Sequence, residues 1–204
     1  MAEQAVCFDA MGVLFVAADD LRDLVIPFAR SRGSARAEAE IVETYRRCSR
    51  GELTSADFWR WLGVAGEGAE LDADYLAGQR TNDDVVRLAA SLAARGTTLA
   101  CLSNDVREWS EWLRQRHGLD RDIRTWVVSG EVGIRKPDAG IYEALLRRTG
   151  IEAKDWTFVD DREANLDAAA RLGFRTIRFG ARSATHPSAS DAAKLATLIE
   201  AAAQ

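Results

Sequence analysis

Cysteine, histidine and lysine are scarce in this 204-residue sequence, and each scarcity narrows what the chain can be. The three cysteines, Cys7, Cys48 and Cys101, are odd in number and share no metal-ligand spacing. They fit reduced thiols in a cytoplasm rather than a disulfide framework. Of the two histidines, His117 closes a helical run before Gly118 and reads as a partner for the helix C-terminal dipole, while His186 falls in a linker. Neither is placed for a catalytic triad. Basic charge is not in excess: 27 Lys and Arg stand against 32 Asp and Glu, a net charge of −5 with a pI near 5.2. That balance argues against a nucleic-acid binder working through a basic face. No apolar run approaches the roughly 18 residues of a membrane span; the longest, from Ala10 to Ala18, is half of one. The opening Met-Ala-Glu-Gln lacks the positive flank of a secretory signal. With 47% hydrophobic and 29% charged residues, the expectation is an acidic, cytoplasmic, globular protein with no membrane or nucleic-acid partner.

What is present is an alternation. Ala5-Val6-Cys7-Phe8 is a short apolar run that stops at Asp9, as a buried strand does when it ends on a carboxylate. Helical spacing then dominates. It covers Asp19 to about Arg32, Ala35 to Arg50, a shorter helix from Thr54-Ser55, and a turn over Leu71 to Ala77. No strand is evident between about residues 18 and 81. From there strands and helices alternate. Helices are expected over Asp83–Arg95, Val106–His117, Pro137–Arg148, Ala164–Leu172 and Ala189–Ala202. Strands are expected over Thr97–Leu102, Ile123–Val128, Trp156–Val159 and Phe174–Phe179. Short strands alternating with helices of ten or so residues imply βαβ units and a parallel sheet. The fold class is therefore α/β: a Rossmann-like parallel core over 1–17 and 82–204, interrupted by an all-helical insertion over 18–81. Phe58, Trp59 and Trp61 read as the core of the insertion, and Trp109 and Trp112 as a packing face. The Arg46-Arg47 and Arg147-Arg148 pairs read as solvated helix faces.

In open parallel sheets the ligand crevice lies beyond the carboxyl ends of the strands. Four such ends carry polar chemistry here: Asp9, Ser103-Asn104, Lys136 and Asp160-Asp161. One account uses them all. Asp9 attacks an electrophile, Ser103 and Lys136 bind an anionic group, and Asp160-Asp161 with Asp9 hold a hard divalent cation. Lys136 is one of three lysines in the chain, so an accidental lysine at this point is improbable. As a strand-end loop residue it is expected to carry little core packing.

The segments Phe8-Asp9-Ala10-Met11-Gly12-Val13, Leu102-Ser103-Asn104, Gly133-Ile134-Arg135-Lys136-Pro137-Asp138 and Phe158-Val159-Asp160-Asp161 resemble, in order and spacing, the four motifs of the haloacid dehalogenase superfamily. The resemblance covers nearly the whole chain, and the insertion over 18–81 is similar to the helical cap found between the first and second motifs. It implies a Mg²⁺-dependent hydrolase of small phosphorylated or otherwise anionic metabolites. Asp9 would form an aspartyl-enzyme intermediate, with Ser103, Asn104 and Lys136 as phosphate-binding or nucleophile-orienting groups. Asp161 would be a direct Mg²⁺ ligand and Asp160 a direct or supporting one. The Met11 main-chain carbonyl would be a further ligand, and Asn165 would orient the acidic pair.

One departure stands out. Phosphatases of the superfamily carry, two positions after the nucleophile, an Asp that protonates the leaving group and later deprotonates water; here that position is Met11. General acid–base assistance is worth about 10² to 10⁴ in rate. Three readings follow: a phosphatase-like hydrolase whose acid is missing or relocated, a carbon–halogen hydrolase whose leaving halide needs no proton, or a non-catalytic binding protein on the same scaffold. A carboxylate of the insertion, for example Asp19, Asp20 or Glu52, can stand in for the acid. A phosphonate hydrolase, which uses a cap lysine, is disfavoured because residues 18–81 contain none.

Overall fold

The computed structural model describes residues 5–180 and 189–202. Five strands form one sheet in the order β3-β2-β1-β4-β5: β1 (Ala5–Phe8), β2 (Thr98–Ser103), β3 (Thr125–Val128), β4 (Trp156–Asp160) and β5 (Arg175–Arg178). All four pairings are parallel. The chain lays β2 and β3 to one side of β1, then crosses back to lay β4 and β5 on the other. The switch point therefore lies between β1 and β4, where a ligand crevice belongs.

Between β1 and β2 run the helices α1 (Ile26–Ser31), α2 (Glu38–Cys48), α3 (Ser55–Leu62), α4 (Gly68–Leu76) and α5 (Asp83–Ala94). The remainder are α6 (Arg107–Arg116), α7 (Ser129–Val132), α8 (Ala139–Thr149), α9 (Glu163–Arg171) and α10 (Ala189–Ala202). Strand alternation separates two apolar layers. Val6, Phe8, Cys101 and Val159 face a cluster with Val85 and Leu92 of α5, Leu113 of α6 and Leu195 of α10. Ala5, Cys7, Leu102 and Phe158 face Ile141, Tyr142 and Leu145 of α8 and Leu166 of α9.

The helices expected over residues 18–81 are present, and no strand of the sheet lies among them. The segment leaves and rejoins the core by two adjacent connectors. Val16 N–H donates to the Arg80 carbonyl at 2.9 Å, and Asn82 N–H to the Leu14 carbonyl at 2.7 Å. Thr54 caps α3, its hydroxyl accepting from Asp57 N–H while the Asp57 carboxylate reaches back. Trp109 of α6 packs at tilted and edge-on angles among Tyr75 at 4.7 Å, Trp59 at 5.3 Å and Phe58 at 5.9 Å, joining the insertion to the core in one apolar cluster. Each such buried ring stabilises by about 1.5–3 kcal/mol. Trp61 and Trp112 are only partly buried, lying under Arg36 and Arg116.

Local departures from the sequence expectations have physical causes. The run from Asp19 begins as a π-helical turn over Leu21–Val25, with Ile26 N–H reaching back to the Leu21 carbonyl, because Pro27 has no N–H to continue an α ladder. The fourth helix of the core starts at Ala139, not Pro137: Asp138 is its cap, accepting from Gly140 N–H at 2.9 Å. His117 caps the C-terminal end of α6. Burial and neighbouring Arg116 hold its pKa down, and its ring packs edge-on against Phe15 at 5.8 Å. The Gly180–Ser190 linker, with His186, lies largely outside the described residues.

Candidate active site

The register brings the strand ends together. Phe8 pairs with Val159 on one side and Cys101 on the other, so Asp9 stands beside Asp160 with Ser103 on the next strand. Asp9 N–H donates to the Val159 carbonyl at 2.8 Å, continuing the ladder one residue past β1. Lys136, from the loop between β3 and α8, places its Nζ 2.8 Å from Asp9 Oδ1 and 2.8 Å from Asp160 Oδ2. Its side chain is 1% exposed, so it is a buried member of the network rather than a light loop residue.

Each of these groups is held by others. Asn104 clamps the Lys136 main chain from both sides: its Oδ1 accepts from Lys136 N–H at 2.7 Å and its Nδ2 donates to the Lys136 carbonyl at 2.9 Å. Asn165 Nδ2 donates to both Asp160 oxygens, at 3.1 and 3.0 Å, and Arg162 N–H adds a third bond at 2.8 Å. Tyr142 in turn donates its hydroxyl to the Asn165 carbonyl at 2.9 Å. Gly12, at φ +79°, is needed where it is: a Cβ there would sit 3.0 Å from Asp161 Oδ2.

The charge in this site does not balance. Oxygens of Asp9, Asp160 and Asp161 lie within 4.8 Å of one another; Lys136 Nζ meets the first two, and the Arg162 guanidinium, more than half exposed, comes no nearer than 3.9 Å to Asp161 Oδ1. Burial, followed by the Asp160 charge, pushes Asp9 up to about 8 against the pull of Lys136. Burial and Asp160 raise Asp161 as well. Burial alone would lower Lys136, but the Asp160 and Asp9 charges outweigh it and hold the ammonium above its ordinary range. Two buried atoms, Ser103 Oγ and Asp161 Oδ1, have no hydrogen-bond partner. Orphaned polar atoms beside excess negative charge fit a hard cation and an anionic ligand, since carboxylate oxygens are what Mg²⁺ takes.

The site opens into a cleft of about 130 Å³ whose walls include Met11, Ser103 and Asn104. Asp19 and Asp20, two of the carboxylates offered as stand-in acids, also line it, and so do three residues the sequence reading gave no role: Tyr45, Arg135 and Arg162. Arg46, read as a solvated residue, reaches the cleft too. Arg148 of the other pair donates to Glu131 and to the Trp126 carbonyl. A signal for two of the missed residues was available, because Arg135 directly precedes Lys136 and Arg162 directly follows Asp161. Neither His117 nor any cysteine lines this cleft.

A parallel α/β core with acidic strand ends and a buried lysine defines a class of hydrolases, and the chain belongs to it. Residues 3–173 match the haloacid dehalogenase-like hydrolase family, and the chain is a member of that family. It is similar to the sesquiterpene phosphatase astK of Aspergillus oryzae, 26% identical over 83% of this chain and 86% of that protein. It is also similar to (S)-2-haloacid dehalogenase 4A of Burkholderia cepacia, 28% identical over 47% of this chain and 41% of that protein. In fold it is similar to a HAD family enzyme from Bacteroides thetaiotaomicron solved as a magnesium complex. The TM-score is 0.75 at 20% identity, over 90% of this chain and 96% of that one.

Proposed function

We propose that the protein is a Mg²⁺-dependent, phosphatase-like hydrolase of small phosphorylated metabolites, with the 18–81 segment serving as its cap. The observation that carries this is the charge imbalance: three clustered carboxylates against one buried ammonium and one largely exposed guanidinium, with Ser103 Oγ and Asp161 Oδ1 free of hydrogen bonds. Halide displacement needs no cation and gives no reason for an Asp160-Asp161 pair beside Asp9. Asp9, Asp161, the Met11 carbonyl and, directly or through its bonds, Asp160 would hold the metal. When bound, it neutralises charge on the phosphoryl oxygens and on the clustered carboxylates.

The chain's own groups do the rest. Asp9 is the nucleophile, its oxygen forming a bond to phosphorus as the leaving oxygen departs. Lys136 orients Asp9 and meets the charge of the transferred group, and Ser103 Oγ, otherwise unpartnered, donates to a phosphoryl oxygen. Asn104 fixes Lys136, and Asn165 fixes Asp160. Met11 has no proton to give, which keeps a carbon–halogen substrate, whose leaving halide needs none, as the second reading. The test sets the two side by side: phosphate release from 4-nitrophenyl phosphate and chloride release from 2-chloropropionate, each with Mg²⁺ and with EDTA. Phosphate release that requires Mg²⁺ is expected. Chloride release indifferent to EDTA, with no phosphate release, would replace the proposal with a dehalogenase.

A further inference from the structure

Met11 leaves the position of the usual acid empty, and of the many carboxylates of the insertion only Asp19 and Asp20 line the cleft. Glu52 is exposed and held by Arg50 at 2.7 Å and Arg47 at 3.1 Å, which keep its carboxyl below the usual range, and it does not face the cleft. Asp19 faces the cleft but is engaged by Arg22, through a 3.1 Å ion pair and a 3.2 Å bond from the Arg22 N–H. Asp20 differs from both. It is 7% exposed, forms part of the cleft wall shared with Asp9 and Lys136, and takes the Tyr45 hydroxyl on Oδ2 at 2.8 Å.

The strap that carries Asp20 is fastened to the nucleophile loop. Arg162, next to the Asp160-Asp161 pair, donates from Nη2 to the Ala18 carbonyl at 3.1 Å. Ala18 lies so close to Gly12 that a Cβ on Gly12 would come within 3.3 Å of the Ala18 methyl. Asp20 is two residues further along, at the head of the π-helical turn.

We propose that Asp20 is the general acid and base of this active site, with Tyr45 as its positioning residue. This rests on the phosphoryl-transfer reading above. The electrostatic setting supports it. Burial pushes the Asp20 carboxyl up against the Tyr45 hydrogen bond, and Asp19 adds to the rise while Arg135 and the Leu21 N–H oppose it. Tyr75 of α4, Asp105 ahead of α6, and Arg162 complete the charged and titratable groups that sense it. Asp105 is itself buried and raised, but it spends Oδ1 on the Val106 N–H at 2.7 Å and does not face the cleft.

The proton accounting closes. In the first half-reaction the Asp9 oxygen bonds to phosphorus, the P–O bond to the leaving group breaks, and the Asp20 proton moves to that oxygen, giving an alcohol and an Asp20 carboxylate. In the second, the carboxylate takes a proton from water. The water oxygen bonds to phosphorus, the Asp9–phosphorus bond breaks, and inorganic phosphate leaves with Asp9 and Asp20 restored.

The experiment measures kcat/KM of wild type and Asp20→Asn on glycerol phosphate, a poor leaving group, and on 4-nitrophenyl phosphate, a good one. The expected result is a loss of about 10²- to 10⁴-fold on glycerol phosphate with little change on 4-nitrophenyl phosphate. The variant should also give a burst of nitrophenol, with phosphorylated Asp9 visible by mass spectrometry, because the second half-reaction has lost its base. Met11→Asp in the Asp20→Asn background should recover the glycerol phosphate rate. An equal loss on both substrates, or none on either, overturns the assignment. Should Asp20→Asn fail to fold, Tyr45→Phe decides. Losing the hydrogen bond to the carboxylate should move the basic limb of the glycerol phosphate profile to higher pH, and an unmoved limb counts against Asp20. If wild type releases phosphate from neither substrate, the phosphoryl-transfer reading itself fails and the Asp20 role falls with it.

Discussion

Two buried carboxylate centres, one in the helical segment and one at the sheet, show how differently the same group can be used. Asp72 of α4 is 9% exposed and is met by neutral donors: Ser55 Oγ at 2.6 Å, Trp59 Nε1 at 2.6 Å, and the indole N–H of Trp109. Those donors come from α3 and α6, so the carboxylate ties the insertion to the core. Asp9 and Asp160 instead share a lysine, crowd a third carboxylate, and leave two neighbouring polar atoms without partners. A satisfied centre holds structure, whereas an overcharged and under-bonded one is poised to bind.

The comparison breaks first at the nucleophile. Asp9→Asn should lower phosphate release by about 10⁴-fold or more, since removing a nucleophile removes the covalent route. The folded state should survive, because the change relieves repulsion; retained far-ultraviolet circular dichroism with full activity would contradict the role of Asp9. Asp72→Ala should do the opposite. Leaving a hydroxyl and two indole N–H groups buried without an acceptor costs about 3–5 kcal/mol in total. Denaturant unfolding should show that loss, while kcat of the molecules that remain folded stays near wild type. A lost kcat at unchanged stability would make Asp72 part of the site. Smaller again is the effect of the cation. Mg²⁺ at 100 times its Kd should stabilise wild type by about 2.7 kcal/mol. Asp161→Asn should need much more Mg²⁺ for the same rise in Tm, and a rise identical to wild type would exclude Asp161 as a ligand.

Much of this was readable in the chain because the sheet is parallel and buried. Strands β1 to β4 are built on short buried, mostly apolar runs, unlike the edge strand β5 with its Arg-Thr-Ile-Arg, and the polar residues that end β1, β2 and β4 lie on the same edge of the sheet. That is how Asp9, Ser103 and Asp160 come to be neighbours although more than ninety residues separate the first two. Boundaries were less legible. Ser129–Val132 is too short to show a helical period, and Pro137 was placed inside a helix that Asp138 caps. The insertion hid the most. Asp72 and Tyr45 sit among apolar residues at helical spacing, and nothing local distinguishes a carboxylate aimed at two indoles from one aimed at water. The same holds for Asp20, whose neighbour Asp19 is chemically identical yet exposed and bound by arginine. Only the packing separates them.

The smallest expected effect tests that last distinction through stability alone. A carboxyl raised in the folded state binds its proton more tightly there than in the unfolded chain, where its pKa is about 3.9. Stability contributed by Asp20 is therefore present below that value and is lost as pH rises through the folded-state value. Asn at this position cannot ionise and still accepts from the Tyr45 hydroxyl. At pH below about 3.9, where the Asp20 carboxyl is protonated in both states, the stability difference between Asp20→Asn and wild type should be independent of pH. As pH rises, the variant should become progressively the more stable of the two. The other titrating groups are common to both proteins, and of those that sense Asp20 only Asp105 is a carboxyl, so the difference reports Asp20 together with its effect on Asp105. An Asp20→Asn difference that stays flat, or that favours wild type as pH rises, would mean that Tyr45 and Arg135 hold Asp20 ionised. A carboxyl held that way has no proton to deliver to a leaving group.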